Sequence, residues 1–335
     1  MLGALLVWAN AMAFFLDDFS VYSYKSQIFS IILWLLTYIA FKHENFNWKA
    51  MDTFLAKISK MLIITYAITL FIVYAYFLRQ GGFYLGFSSS PLLIPFVYFL
   101  IKKKWSLVIL TVVLIAISGK RGVFIVLPVL CLSYLFLLLS LKEFLKTILL
   151  LFVFGIVFFV LINYFDVLFY FESSVNKFKL ISKVLFSNEY DLHELAVMSS
   201  GRSIEIIEGV NELNSQDAWL RGLGYGFQIE VPSVDGSYSL INHYVHFTPF
   251  NFILQYGLIL GSLFLFIFVF KIINALVKSK KKSDLEQFFL LLSVGYLLGS
   301  LTNYSMSFNP IIWMTFIIAL YGFRKKELYM WGFRA

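Results

Sequence analysis

Charge, cysteine and histidine are all scarce in this chain. Of its 335 residues only 14% are Asp, Glu, Lys or Arg, against about 25% in a soluble globular domain. Apolar residues make up 60% and the mean hydropathy is +0.83. No soluble fold of this size hides that much apolar surface, so the composition predicts an integral membrane protein. The single cysteine, Cys131, sits in an apolar run; it excludes an internal disulfide and leaves the redox compartment open. There are four histidines, and around His243 and His246 no third or fourth ligand stands at a useful spacing for zinc. Alternating segments of about ten residues are missing, which argues against an outer-membrane barrel. The glycine-rich stretch 222–226 lacks the last glycine of a dinucleotide fingerprint, because position 227 is Phe, and it has no βαβ context. It reads as a flexible turn. No sequence repeat or inverted-repeat signal is visible.

What the chain has in quantity is apolar runs. They fall at 2–16, 27–42, 60–78, 84–101, 105–119, 121–140, 147–168, 249–270, 287–303 and 308–323, each near the ~20 residues a spanning helix needs. The expected fold is an all-α polytopic membrane protein of about ten transmembrane helices, with both termini cytoplasmic and one large external loop carrying short helices. Hydropathy divides it into 1–168 (the first seven helices), 169–248 (the loop) and 249–335 (three helices and a tail). The first apolar run begins at once, which reads as an uncleaved anchor. Thirty-nine Phe and twenty Tyr suit membrane helices and their aromatic interfaces.

The formal charge of +8 resolves into topology. With a cytoplasmic N-terminus, 18 of the 27 basic residues fall on cytoplasmic segments, and the short external loops keep only Lys25, Arg79, Lys120 and Arg121. The positive-inside rule supports that orientation, and nucleic acid is not indicated as a partner. Residues 166–248 hold five basic and eleven acidic residues, a net of −6. Three of the four histidines are there: His193, His243 and His246. A loop this long between membrane helices reads as functional.

Within the loop, Lys177 to Phe186 reads as an amphipathic interfacial helix. Gly201 to Leu213 reads as a second helix, with an apolar stripe of Ile204, Ile207 and Val210 and an acidic face of Glu205, Glu208 and Glu212. Four groups can carry chemistry. Lys120 and Arg121 lie between two spanning helices on the base-poor side. Snorkelling explains their charge equally well, but an Arg fork flanked by Gly119 and Gly122 also suits phosphate oxygens. Arg202 stands at a helix start, where a cation opposes the dipole but an anion would meet both; a salt bridge to one of the loop acids is the plainer reading. His243 and His246 precede the eighth helix, and Pro249 suits its first turn. A general base near neutral pH is plausible there. Asp17 and Asp18 are adjacent carboxylates in the first external loop, able to hold a metal or simply to be loop acids.

The arrangement resembles the O-antigen polymerase and O-antigen ligase superfamily of bacterial membrane glycosyltransferases. The matching pieces are Ser118-Gly-Lys-Arg121-Gly in a short external hairpin, Ser200-Gly-Arg202 early in a large external loop, and Gly222-Leu-Gly-Tyr-Gly226 near its end. His246 comes next, followed eleven positions later by Gly257 at the head of Gly257-Leu-Ile-Leu-Gly261. The match covers roughly residues 105–265. Phe247 stands where the family often has a small polar residue, and the second glycine is displaced by one, to Gly261. The resemblance implies a metal-independent, inverting glycosyltransferase of the bacterial plasma membrane without a cofactor, its active site facing the periplasm. The implied donor and acceptor are oligosaccharide repeat units on undecaprenyl diphosphate, in surroundings of membrane lipid, with a chain-length regulator and a flippase as companions. Arg121 and Arg202 are then the expected diphosphate-binding residues, with Lys120 and Arg221 as lesser candidates. His246 is the expected base and His243 its substitute. A polymerase passes the growing glycan to a sugar hydroxyl of another lipid-linked unit of O-antigen, capsule or exopolysaccharide; a ligase passes it to lipid A-core.

Two other classes stay open at this point. A transporter or flippase for the same lipids would place polar or broken helices at mid-membrane, and the apolar runs here are almost free of charge. A metal-dependent glycosyltransferase would use Asp17 or Asp18 and lose activity to a chelator.

Overall fold

The computed structural model describes residues 2–13, 20–43, 47–80, 89–117, 121–138, 201–232, 239–242, 244–277, 283–301 and 310–322. These residues are mostly helical. In chain order the helices are α1 (Leu2–Ala13), α2 (Val21–His43), α3 (Trp48–Gln80), α4 (Leu93–Ile101), α5 (Trp105–Ile117), α6 (Arg121–Leu138), α7 (Arg202–Ser215), α8 (Thr248–Val277), α9 (Asp284–Gly299) and α10 (Pro310–Ile317). Between α7 and α8 lies an antiparallel pair, β1 (Ile229–Pro232) and β2 (Ser239–Asn242), with Ile229 opposite Asn242 and Val231 opposite Leu240. The expected apolar run at 147–168 and the interfacial helix at 177–186 lie outside the described residues.

The ten-span expectation holds only in a coarser form. Among the described residues two helices, α3 and α8, are long and apolar enough to cross a membrane. For α4 and α5 the reason is length. α4 has 9 residues and α5 has 13, about 14 and 20 Å of helix at 1.5 Å per residue, against a hydrocarbon core of about 30 Å. Neither long helix is mostly buried. Only 17% of the most apolar stretch of α3 and 33% of that of α8 is buried, and α3 exposes Met61, Ile64, Ile68, Phe71 and Ile72 along its length.

The chain forms two compact units, one of residues 1–29 with 139–267 and the other of 30–138 with 268–335. In the second unit α4 is buried almost all round, through Leu93, Phe96, Val97, Phe99 and Leu100, as a uniformly apolar helix must be. At its end Lys102 Nζ lies 3.3 Å from Asp52 of α3 and 3.1 Å from Asp284 of α9. Exposed pairs of this kind contribute about 0–1 kcal/mol each, so the apolar contacts hold the helices and the charges set their register. One such contact is the edge of Phe288 against Tyr98, centroids 5.9 Å apart. The start of α9 is closed by Glu286, whose carboxylate accepts the Ser283 N–H at 2.8 Å, a donor the helix itself leaves unpaired.

In the first unit the core gathers Leu213, Ala218, Leu223, Phe227, Ile229, Val231, Val245, Phe250 and Leu254. It is an apolar core inside the segment that composition marks as hydrophilic. Its apolar residues come from α7, from the segment after it, from β1 and from the first turns of α8.

Candidate functional site

The site is built on a break in α8. Gly257 adopts φ 80°, ψ 167° inside the helix, a region essentially confined to glycine. The carbonyls around such a break lose their helical partners and need others. The glycine stretch of the loop supplies them. Leu223 N–H donates to the Leu254 carbonyl at 2.6 Å, Gly224 N–H to the Gln255 carbonyl at 3.2 Å, and Leu258 N–H to the Trp219 carbonyl at 2.7 Å. On its other side the stretch binds α1: Tyr225 N–H donates to the Ala9 carbonyl at 3.1 Å, and the Trp8 indole N–H to the Arg221 carbonyl at 2.8 Å. The approach is so close that a Cβ on Gly222 would lie 2.5 Å from the Gly257 nitrogen, and one on Gly224 2.6 Å from the Ala9 carbonyl oxygen. Residues 222–226 are therefore buried and bonded on both flanks, not the flexible turn expected from composition. Gly261 has a steric duty too, since a Cβ there would meet the Phe252 carbonyl oxygen at 2.5 Å. The buried Tyr225 and Tyr256 hydroxyls meet at 2.9 Å beside the break, and burial raises the Tyr225 phenol well above its ordinary range.

α7 lies against the first turns of α8. Gly201, left-handed at φ 84°, precedes its first turn. The stripe it buries is Glu205, Gly209 and Leu213, four residues apart and so on one face. Gly209 decides this: a Cβ there would come 2.7 Å from the Phe250 ring, so the small residue is what allows the close approach. The expected assignment of faces is thereby reversed in part. Glu205 is 7% exposed and Ile207 39%, whereas the amphipathic pattern put Ile207 inside and Glu205 in water.

A carboxylate carried inward this way must be paired, and two donors and a ring nitrogen meet it. His246 donates its backbone N–H to Glu205 Oε2 at 3.0 Å. Its ring Nδ1 lies 2.8 Å from Oε1 and 3.0 Å from Oε2. The Asn242 amide donates to Oε1 at 3.3 Å. The turn before α8 is held by Asn251, whose side-chain oxygen accepts the Val245 N–H at 3.0 Å. The Tyr244 ring stands 5.1 Å from that of His246; burial first, then the negative Glu205, raises its phenol. Arg202, one turn before Glu205, is half-buried. Burial lowers its guanidinium from the ordinary value, and the Glu205 carboxylate works against that shift. An Arg stays charged under any such shift, so this is a partly desolvated cation, placed where an added anion is held more firmly than in water.

Glu205 thus links two residues that sequence reasoning singled out separately: it bonds His246 directly, and Arg202, three positions earlier on α7, feels its charge. Arg221 donates from Nη2 to the Gln216 carbonyl at 2.7 Å and closes the turn after α7. Arg121 opens α6 in the second unit. Lys120, His243, His193, Asp17 and Asp18 lie outside the described residues. Three members were missed by sequence reasoning: Glu205, Asn242 and Tyr244. The available signal for Glu205 was its place in the first turn of α7, three residues after Arg202, but its partner is 41 positions away and no local pattern announces that. Among the described residues no group of three His, Cys, Asp or Glu gathers as a metal site. No family model, curated protein or solved structure matches the chain.

Proposed function

We propose that the protein is a polysaccharide polymerase of the bacterial plasma membrane. It extends a glycan by transferring the growing chain from undecaprenyl diphosphate to a sugar hydroxyl of another lipid-linked repeat unit. The observation that carries this reading is His246 bonded to the buried Glu205, three residues after the half-buried Arg202 on α7, in a hydrophilic segment followed directly by a long apolar helix. The reaction needs two things at headgroup depth. A base must take the proton of the attacking hydroxyl, and cations must receive the negative charge that grows on the leaving diphosphate. His246 meets the first need and Arg202 the second; for Arg121 the diphosphate role rests on the family resemblance alone. In the sequence Arg121 and Lys120 fall on the side expected to be poor in bases, where the positive-inside rule does not call for them. The exposed apolar faces of α3 and α8 support a membrane setting, and an undecaprenyl carrier is itself soluble only there.

The reading assigns no role to a metal or a nucleotide sugar, and the remaining apolar helices are read as further spans of a multi-pass protein facing the periplasm. Deletion of the gene separates polymerase from ligase. Surface glycan reduced to a single repeat on its anchor, read as one band by gel electrophoresis, is the expected result. Complete loss of the repeat from the anchor would overturn the polymerase reading in favour of the ligase.

A further inference from the structure

We infer that Glu205 is a positioning residue. Its carboxylate fixes the His246 imidazole in the Nδ1–H form and leaves Nε2 as the nitrogen that carries the lone pair. The use of that lone pair in glycan transfer rests on the polymerase reading; the hold of Glu205 on the ring does not.

An ionised carboxylate only accepts hydrogen bonds. Around Glu205 the other two partners, the His246 backbone N–H and the Asn242 amide, are donors, so the surroundings suit a carboxylate and assign a proton to the ring nitrogen facing it. That nitrogen is Nδ1, with both carboxylate oxygens within 3.0 Å. Glu205 is also the rigid member of the pair. Its side chain is 9% exposed and that of His246 31%, so a buried anchor on α7 holds a ring that reaches toward solvent. The backbone bond to the same residue fixes where the ring starts, and the ring bond fixes how it turns. A purely structural carboxylate would need only the backbone and Asn242 donors.

In the transfer step the acceptor hydroxyl oxygen forms the bond to the anomeric carbon, and its proton passes to His246 Nε2. The bond from that carbon to the diphosphate oxygen breaks, and its electron pair leaves with the diphosphate, toward Arg202. His246 is then an imidazolium whose charge Glu205 offsets, and it later gives its proton to water. A fixed carboxylate behind an imidazole does this work in other enzymes, where its amide replacement lowers turnover about 10⁴-fold by favouring the wrong tautomer.

The test is nitrogen NMR of the full-length protein in nanodiscs, labelled at histidine, with the His246 signals assigned by difference from His246→Gln. The neutral wild-type ring is expected to be protonated at Nδ1 and bare at Nε2. In Glu205→Gln the Nε2–H form should gain population, and kcat with a synthetic lipid-linked repeat unit should fall by about 10²- to 10⁴-fold with KM changed less than about threefold. Glu205→Asp, which keeps the charge, should recover part of both. A wild-type ring protonated at Nε2, or a tautomer unmoved by Glu205→Gln, overturns the inference. If the tautomer shifts while no version of the protein makes polymer, the hold of Glu205 on His246 stands and the polymerase reading falls.

Discussion

Arg202→Ala should leave protein level and membrane insertion intact and cut the rate of glycan elongation by about 10²- to 10³-fold, the usual loss when one preorganised charge-stabilising donor is removed. The size follows from where the side chain sits. Arg202 is half-buried on α7, and burial already lowers its guanidinium, which means it has lost hydration that only an anion or Glu205 replaces. A diphosphate whose charge grows during bond cleavage gains most from such a cation, because a partly desolvated, preplaced cation has less water to rearrange. The side chain is not part of the apolar core of its unit, so the fold should survive its removal. Arg202→Lys should restore only part of the rate, since an ammonium lacks the two-pronged fork that matches phosphate oxygens. Arg121→Ala is expected to give a drop of the same order. Each variant is read as polymer length on gels, beside an immunoblot for protein. Normal-length polymer in both alanine variants would remove arginine from the site.

Gly257→Ala should have the largest effect on the fold itself. Two effects add. Any L-residue at φ 80°, ψ 167° carries backbone strain of about 1–3 kcal/mol. The added Cβ would also stand 2.1 Å from the Leu220 carbonyl oxygen and 2.6 Å from the Leu220 carbonyl carbon. Both are backbone atoms, so no side chain can swing away. The loop segment would have to lift from α8, breaking the Leu223, Gly224 and Leu258 bonds that satisfy the helix break. A total above about 4 kcal/mol places the variant among the exceptional single substitutions. Thermal unfolding in nanodiscs, with limited proteolysis of the loop, is the measurement. A melting temperature within a few degrees of wild type would show that the loop does not depend on the break.

Most helices of the described residues were legible in the sequence because they fall on unbroken apolar runs. The ends were less so. α3 was expected from residue 60 and starts at Trp48, because Lys49, Ala50, Met51, Leu55, Ala56 and Lys57 are good helix formers, while hydropathy counts the charges of Lys49, Asp52 and Lys57 against a span. The glycines were legible as special but not in their duty. Glycine means freedom where nothing is near and space where something is, and residues 9–13 and 254–257, which fill that space, are remote in sequence. Of the site, Arg202 and His246 were readable because a basic residue and a histidine in an acidic segment are out of place. Glu205 was not, because one of three glutamates on a polar-looking helix carries no mark. Its burial follows from Gly209, one turn later, which turns that side of α7 toward α8.

The most direct test is the purified protein in nanodiscs given only a synthetic undecaprenyl-diphosphate-linked repeat unit. A ladder of longer glycans with release of undecaprenyl diphosphate is expected, without nucleotide sugar or added metal, unchanged by a chelator, and absent with His246→Ala. No ladder, or one that requires a divalent metal, would contradict the account.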